Sequence, residues 1–277
     1  MPSERLPDFF IVGAMKGGST TLYQRLAGHP HTSLPRSKEP NFFTLVDPSA
    51  RQWHSYRRLF ATGPGITGEA SVAYSDPRVS SQVADRVVKA VPRAKIVFLA
   101  RDPIARLRSH YLHEVLRGRE ARPLGACVTD AGSTYVARSM YTACLSPYLR
   151  EFGGNQVLVI ESERIDEHEQ WVRLERFLAL PHEPLPSQRF NVSSERPRET
   201  TLMRWARKNG VLRLERRTPA AIRRLAKPLL LRTDDRVAQA RQEAQTAPIS
   251  DDVRALLHAD AERFADLVGW AHQPWDL

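Results

Sequence analysis

Cysteine is nearly missing: Cys127 and Cys144 are the only two in 277 residues. That excludes a metal site made of two Cys pairs and a disulfide scaffold, since one bridge at most could form. It fits a reducing, cytoplasmic setting. No apolar run approaches the roughly 18–20 residues needed to cross a membrane. The opening residues, Met1-Pro-Ser-Glu-Arg-Leu-Pro-Asp8, lack a basic start followed by a long apolar core, so no signal peptide is expected. Histidine, cysteine and aspartate nowhere cluster at metal-ligand spacing, so no metal ligand is expected. Internal repeats and low-complexity segments are also missing. The composition, 42% hydrophobic and 26% charged, excludes a mostly disordered or collagen-like chain. Residues 1–277 read as one domain.

What is present in excess is positive charge. Lys and Arg number 41 against 31 Asp and Glu, a net +10. Residues 189–241 hold 15 Lys and Arg but only 5 Asp and Glu, so that quarter carries the whole excess. A basic quarter on a near-neutral body points to an anionic partner: a phosphate ester, nucleic acid, acidic polymer or membrane surface. A solvated arginine-rich face is the plainer alternative. No helix-turn-helix, zinc finger or RNA-recognition signature accompanies it, so nucleic acid is not expected as the partner. Residues 220–232 have a basic and an apolar aspect suited to a membrane surface. Pro228 breaks that helix and favours packing on the body instead.

Three short apolar runs read as buried strands: Phe9-Phe10-Ile11-Val12, Lys95–Ala100 and Gln156–Ile160. A fourth, shorter strand is expected at 66–70. Val79, Val83, Val87 and Val91 recur every fourth residue, which predicts an amphipathic helix. Further helices are expected over 104–116, after Pro103 in the first turn, around Trp171–Leu178, and over 251–269. The stretch 135–152 reads as one helix that Pro147 kinks or splits. Residues 31–65 read as loop with short helical pieces, from which Trp53, Tyr56 and Phe60 face a core. Strands alternating with helices predict an α/β fold: three layers, a central parallel sheet flanked by helices, and a helical C-terminal region. A ligand then belongs at the carboxyl ends of the strands.

Two constellations sit at such ends. Lys16-Gly17-Gly18-Ser19-Thr20-Thr21 joins the first strand to the first helix. Backbone N–H groups at a helix N-terminus form an anion site, glycines let the backbone approach, and the lysine and hydroxyls add direct contacts. It is not a Walker A loop, which needs Lys directly before the hydroxyl residue, so a nucleotide-dependent kinase is the weaker reading. The second constellation is Arg101-Asp-Pro-Ile-Ala-Arg-Leu-Arg-Ser109-His-Tyr111. Arg101 closes a strand and Ser109 lies about two helical turns on, a fork and a hydroxyl for one phosphate.

With Ser37-Lys-Glu-Pro-Asn-Phe-Phe43 and Gly68-Glu69-Ala-Ser-Val-Ala-Tyr74, these segments resemble, in order and spacing, the signature of sulfotransferases that use 3′-phosphoadenosine-5′-phosphosulfate (PAPS). The bacterial and heparan-sulfate-modifying branch is the nearer one. The resemblance covers residues 8–180. Ala70 stands where the family often has Lys, and Val72 where it often has Pro. It implies a P-loop-like fold and an enzyme that moves the sulfuryl group of PAPS to a hydroxyl or amine of a carbohydrate or secondary metabolite, leaving PAP, without a metal. Lys16, Gly17, Gly18, Ser19, Thr20 and Thr21 would bind the 5′-phosphosulfate, and Lys16 would also neutralise the leaving oxygen. Arg101 and Ser109 would hold the 3′-phosphate. Arg196 and Arg198 would belong to a basic loop over the adenosine, and residues 189–245 to a mostly helical lid or acceptor-side region. Glu39 is the candidate general base, with His110 and His113 as rivals. Glu69 and Tyr74 would line the acceptor side. Tyr141 sits near the nucleotide or in the core. A module binding nucleic acid or acidic polymer through the basic quarter is the alternative from another class.

Overall fold

The computed structural model describes residues 5–61, 63–184 and 235–277. Four parallel strands, β1 (Phe9–Gly13), β2 (Gly68–Glu69), β3 (Lys95–Ala100) and β4 (Val157–Glu161), form one sheet in the order β2-β1-β3-β4. The central strands are apolar on both faces because both are covered. Phe10, Val12, Ile96, Phe98 and Ala100 pack into one layer with α3 (Ser80–Ala90), α7 (Tyr141–Phe152) and α10 (Asp251–Val268). Phe9, Ile11, Val97 and Leu99 point the other way, to α1 (Ser19–Ala27) and α8 (His168–Phe177). A third cluster joins α4 (Pro103–Leu116) to α5 (Leu124–Cys127), α6 (Thr134–Ala137) and α9 (Asp235–Thr246). The expected α/β architecture with a central parallel sheet is what forms.

Local chemistry accounts for the boundaries. Asp102 caps α4 by accepting from the Ala105 N–H, and Pro103 takes the first helical position, where a missing N–H costs nothing. Arg108 donates to the carbonyls of Glu243 and Ala247 at 3.1 and 2.6 Å, capping the last turn of α9. In α3, Val83 and Val87 are buried, while Val79 and Val91 flank the helix. The expected 66–70 strand shrinks to Gly68–Glu69. The Ala70 N–H turns away from β1 to the Lys38 carbonyl at 2.9 Å.

The stretch 135–152 is two helices, and the break is not at Pro147. It falls at residues 138–140, where Ser139 leaves the helical path to accept from the Arg106 guanidinium at 2.7 Å and donate to the Pro103 carbonyl at 2.9 Å. Pro147 stays inside α7. The Ala143 carbonyl that it cannot serve accepts from the Ser80 hydroxyl at 3.5 Å. Cys127 and Cys144 are both free and buried, and burial pushes each thiol up to about 12. Arg196, Arg198 and residues 220–232 lie outside the described residues.

Candidate active site

Sheet order places the ends of β1, β3 and β4 side by side, and three hydrogen bonds fold the Gly-rich loop and hold it against them. The Ala14 N–H donates to the Leu99 carbonyl at 2.8 Å, the Gly17 N–H to the Ala14 carbonyl at 2.9 Å, and the Ser162 hydroxyl to the Gly17 carbonyl at 2.9 Å. A Cβ at Gly17 would stand 2.7 Å from the Leu99 carbonyl oxygen, so only glycine allows this approach. Lys16 and Gly18 adopt left-handed backbone at φ 70° and 92°. Gly18 precedes α1 without a side-chain cap, leaving the first N–H groups of that helix to other acceptors. Ser19 is buried there, with Thr20 and Thr21 half-buried beside it.

The segment 37–43 crosses this helix start. Its Lys38 Nζ lies 3.2 Å from Ser19 Oγ, 3.1 Å from Thr20 Oγ1 and 2.8 Å from Glu39 Oε1. A second cation therefore stands over the loop. Sequence reasoning gave Lys38 no role of its own. Its neighbour Glu39 is exposed, with a side chain 40% accessible.

Arg101 reaches back to the loop, donating from Nη1 to the Lys16 carbonyl at 3.2 Å. The buried Tyr141 hydroxyl donates to the Arg101 carbonyl at 2.7 Å, so Tyr141 is a core residue that also fixes the end of β3. Ser109 and His113 are half-buried on α4. Between them and the loop lies Arg106, fully buried, which binds the Met15 carbonyl at 3.4 Å, the Tyr135 carbonyl at 2.6 Å and the Ser139 hydroxyl. Burial first, and then Arg138 and Arg101 nearby, lower its pKa to about 10. It ties α4 to the loop and was missed from sequence because its partners, two backbone carbonyls and the Ser139 hydroxyl, lie 29 to 91 residues away.

Three expectations change. Glu69 and Tyr74 do not line an open acceptor surface: both are 0% exposed. Tyr74 packs among Phe10, Phe43 and Tyr148 and accepts from the Phe43 N–H at 3.1 Å. Burial pushes Glu69 up to about 8. The hydroxyls of Tyr74, Tyr56 and Ser71 face it and pull the other way, though none meets full hydrogen-bond geometry with either carboxylate oxygen. His110 is a poor base. Burial, reinforced by Arg106, Arg138, His113 and Lys16, pushes its pKa down to about 2, so the ring is neutral near pH 7 and takes no proton there. Its ring packs on Tyr135 at 4.7 Å between centroids.

A cavity of about 690 Å³ opens beside Met15 and His110, walled by Glu114, Tyr135, Arg138 and part of the stretch 119–134, Arg119, Glu120, Arg122 and Asp130 among it.

No family model matches the chain. It is 27% identical over 194 residues to heparan sulfate glucosamine 3-O-sulfotransferase 5 of Mus musculus, a match covering 64% of this chain and 55% of that one. It is 28% identical over 198 residues to bifunctional heparan sulfate N-deacetylase/N-sulfotransferase 1 of Caenorhabditis elegans, covering 65% of this chain and 23% of that one. The chain thus spans about half the length of the mouse relative and a quarter of the nematode one. Its fold is shared with the crystal structure of a sulfotransferase from Alicyclobacillus acidocaldarius, at a TM-score of 0.63 and 24% identity over 99% of this chain and 98% of that one. The chain is thus similar to heparan sulfate sulfotransferases over about two thirds of its length, and it shares the fold of a bacterial sulfotransferase.

Proposed function

We propose that the protein transfers the sulfuryl group of PAPS to a hydroxyl or amine of a carbohydrate or small metabolite. The observation that carries this reading is the dipeptide Lys38-Glu39. It sets a cation on the Ser19 and Thr20 hydroxyls at the start of α1 and an exposed carboxylate one residue away. A donor's phosphosulfate and an acceptor's hydroxyl need those two groups at one place.

The residues present suit a polyanionic donor. The glycine loop, the uncapped N-terminus of α1, Lys16, Lys38 and Arg101 supply N–H groups and cations from three segments. PAPS supplies an activated sulfuryl group. Glu39 takes the acceptor proton as the acceptor oxygen or nitrogen bonds to sulfur. Lys16 and Lys38 meet the negative charge that grows on the bridging oxygen as its bond to sulfur breaks, and PAP departs. By analogy with phosphoryl transfer, positioning and cationic stabilisation supply most of the rate. Arg101 and Ser109 hold the 3′-phosphate in this reading.

Thermal melting of the full chain with PAP, and separately with ATP and Mg²⁺, tests it. A ligand at about 100 times its Kd adds about 2.7 kcal/mol to the native state, several degrees for a chain of this size. PAP should raise the melting temperature; stabilisation by ATP with Mg²⁺ and not by PAP would favour a kinase instead.

A further inference from the structure

The cavity beside Met15 has a highly charged wall that presents almost no usable charge. Arg119, Arg122 and Arg138 face Glu114, Glu120 and Asp130, three charges of each sign. Each arginine already holds a carboxylate. Arg119 bonds Glu114 at 2.7 Å, Arg122 bonds Glu120 through two nitrogens at 2.8 and 3.1 Å, and Arg138 bonds Asp76. These are not casual contacts throughout. The Arg122 guanidinium, helped by backbone N–H groups and opposed by burial, holds the Glu120 carboxyl down at about 2. Asp76 is held well below the usual carboxylate range: burial opposes this, but bonds from Arg78 and Arg138 outweigh it. Asp130 accepts from the N–H groups of Gly132 and Ser133 at 2.7 and 3.2 Å.

Two buried nitrogens on this wall have no hydrogen-bond partner, Arg138 Nε and His110 Nδ1. His110 is 3% exposed, and its Nδ1 is buried with no hydrogen bond. Its Nε2 stands 3.9 Å from Glu114, beyond hydrogen-bond reach. A buried polar atom without a partner is costly unless a ligand or water meets it. The ring is uncharged, so what it offers is a single neutral hydrogen bond.

Resting on the sulfotransferase reading, we propose that this cavity binds the acceptor and selects an uncharged, hydroxyl-bearing ring compound over an anionic one. Among the described residues, a polyanion entering here finds each lining arginine already holding a carboxylate. It must displace a carboxylate from an arginine, exchanging one ion pair for another and leaving the displaced carboxylate beside it. A neutral glycoside or polyol keeps all three pairs, and its hydroxyls meet His110 and the polar rim. At about 690 Å³ the cavity suits a small molecule of one or a few rings.

The test uses a matched pair that differs by one carboxylate, para-nitrophenyl β-glucoside and para-nitrophenyl β-glucuronide. Each is titrated by calorimetry into the full chain saturated with PAP. The glucoside should bind about tenfold tighter or more, the effect of roughly one unmatched charge. Its affinity should change less than about twofold between 50 and 500 mM salt, because no charge pair forms. Glu114→Gln leaves Arg119 without its carboxylate and should narrow the preference by roughly threefold or more, through the glucuronide alone. His110→Ala should weaken the glucoside by roughly fivefold or more. The proposal is overturned by a glucuronide that binds as well or better, by no binding of either probe, or by a Glu114→Gln protein with an unchanged ratio. PAP titrated alone reads the sulfotransferase reading separately. If PAP binds and the sugars behave otherwise, only the acceptor assignment falls.

Discussion

Glu69 makes stability depend on pH in an unusual direction. Its carboxyl is fully buried, and burial raises it from 4.5 to about 8 in the folded chain. Below pH 4.5 the folded and unfolded chains both hold this proton. Between 4.5 and 8 only the folded chain holds it, so the native state is progressively disfavoured as pH rises. Above 8 both have lost it and the difference levels off. At 1.36 kcal/mol per pH unit, the whole rise is worth roughly 4–5 kcal/mol, a large share of the 5–15 kcal/mol that holds a typical domain folded. Glu69→Gln has the same shape and no proton to lose. Urea denaturation of both proteins at pH 5, 6, 7, 8 and 9, at constant ionic strength, isolates the residue because every other titrating group is shared. The two proteins should match within about 1 kcal/mol at pH 5, and the variant should exceed the parent by several kcal/mol at pH 9. Parallel curves across the range would refute the reasoning. They would mean that the Tyr56, Ser71 and Tyr74 hydroxyls already compensate the buried charge.

Arg101→Ala should weaken PAP by roughly 10–100-fold and adenosine 5′-phosphosulfate much less, since only PAP carries the 3′-phosphate; equilibrium binding of both ligands reads the difference. Lys16→Ala should lower kcat more than it lowers PAP affinity, and Lys16→Arg should restore it only in part, as steady-state kinetics beside PAP titrations will show. Lys38→Ala should weaken PAP by about tenfold, because its ammonium sits on the Ser19 and Thr20 hydroxyls; calorimetry checks it. Glu39→Gln should leave PAP affinity intact and cut turnover by about 10²–10⁴-fold, and near-normal turnover would move the base to His113.

The central sheet was legible because β1, β3 and β4 are short apolar runs with sharp polar or glycine stops, and each meets a phosphate-type loop or cap in the next few residues. Pattern and spacing are local properties, and they were sufficient there. The break before α7 was not legible. It depends on Arg106 drawing Ser139 out of line, a contact across 33 residues that no periodicity encodes. The role of Lys38 was not legible either. Its place over α1 is set by the Ala70 N–H on its own carbonyl and by the Ser71 hydroxyl on the Asn41 N–H at 3.0 Å. Glu69 and Tyr74 were assigned to an open surface because a motif carries no depth. The aromatic cluster that covers them, with Phe42 stacked on Tyr56 at 4.2 Å, comes from residues read as mostly loop.

The bond from Ala14 to Leu99 has a consequence for synthesis. The loop that begins at Ala14 leaves the ribosome before the backbone it rests on, which is translated some 85 positions later, and the Ser162 hydroxyl that braces Gly17 comes later still. At about 5–20 residues per second, the nascent chain waits several seconds with its first strand unpaired on the β3 side. Parallel pairing over such separations is also intrinsically slow. Phe9-Phe10-Ile11-Val12, wholly buried in the finished protein, lacks its β3 partner throughout that interval. A chain stalled before residue 95 would carry every residue of the phosphate loop but not the β3 backbone or the Ser162 hydroxyl that brace it, and its first strand would be the segment for a chaperone to cover.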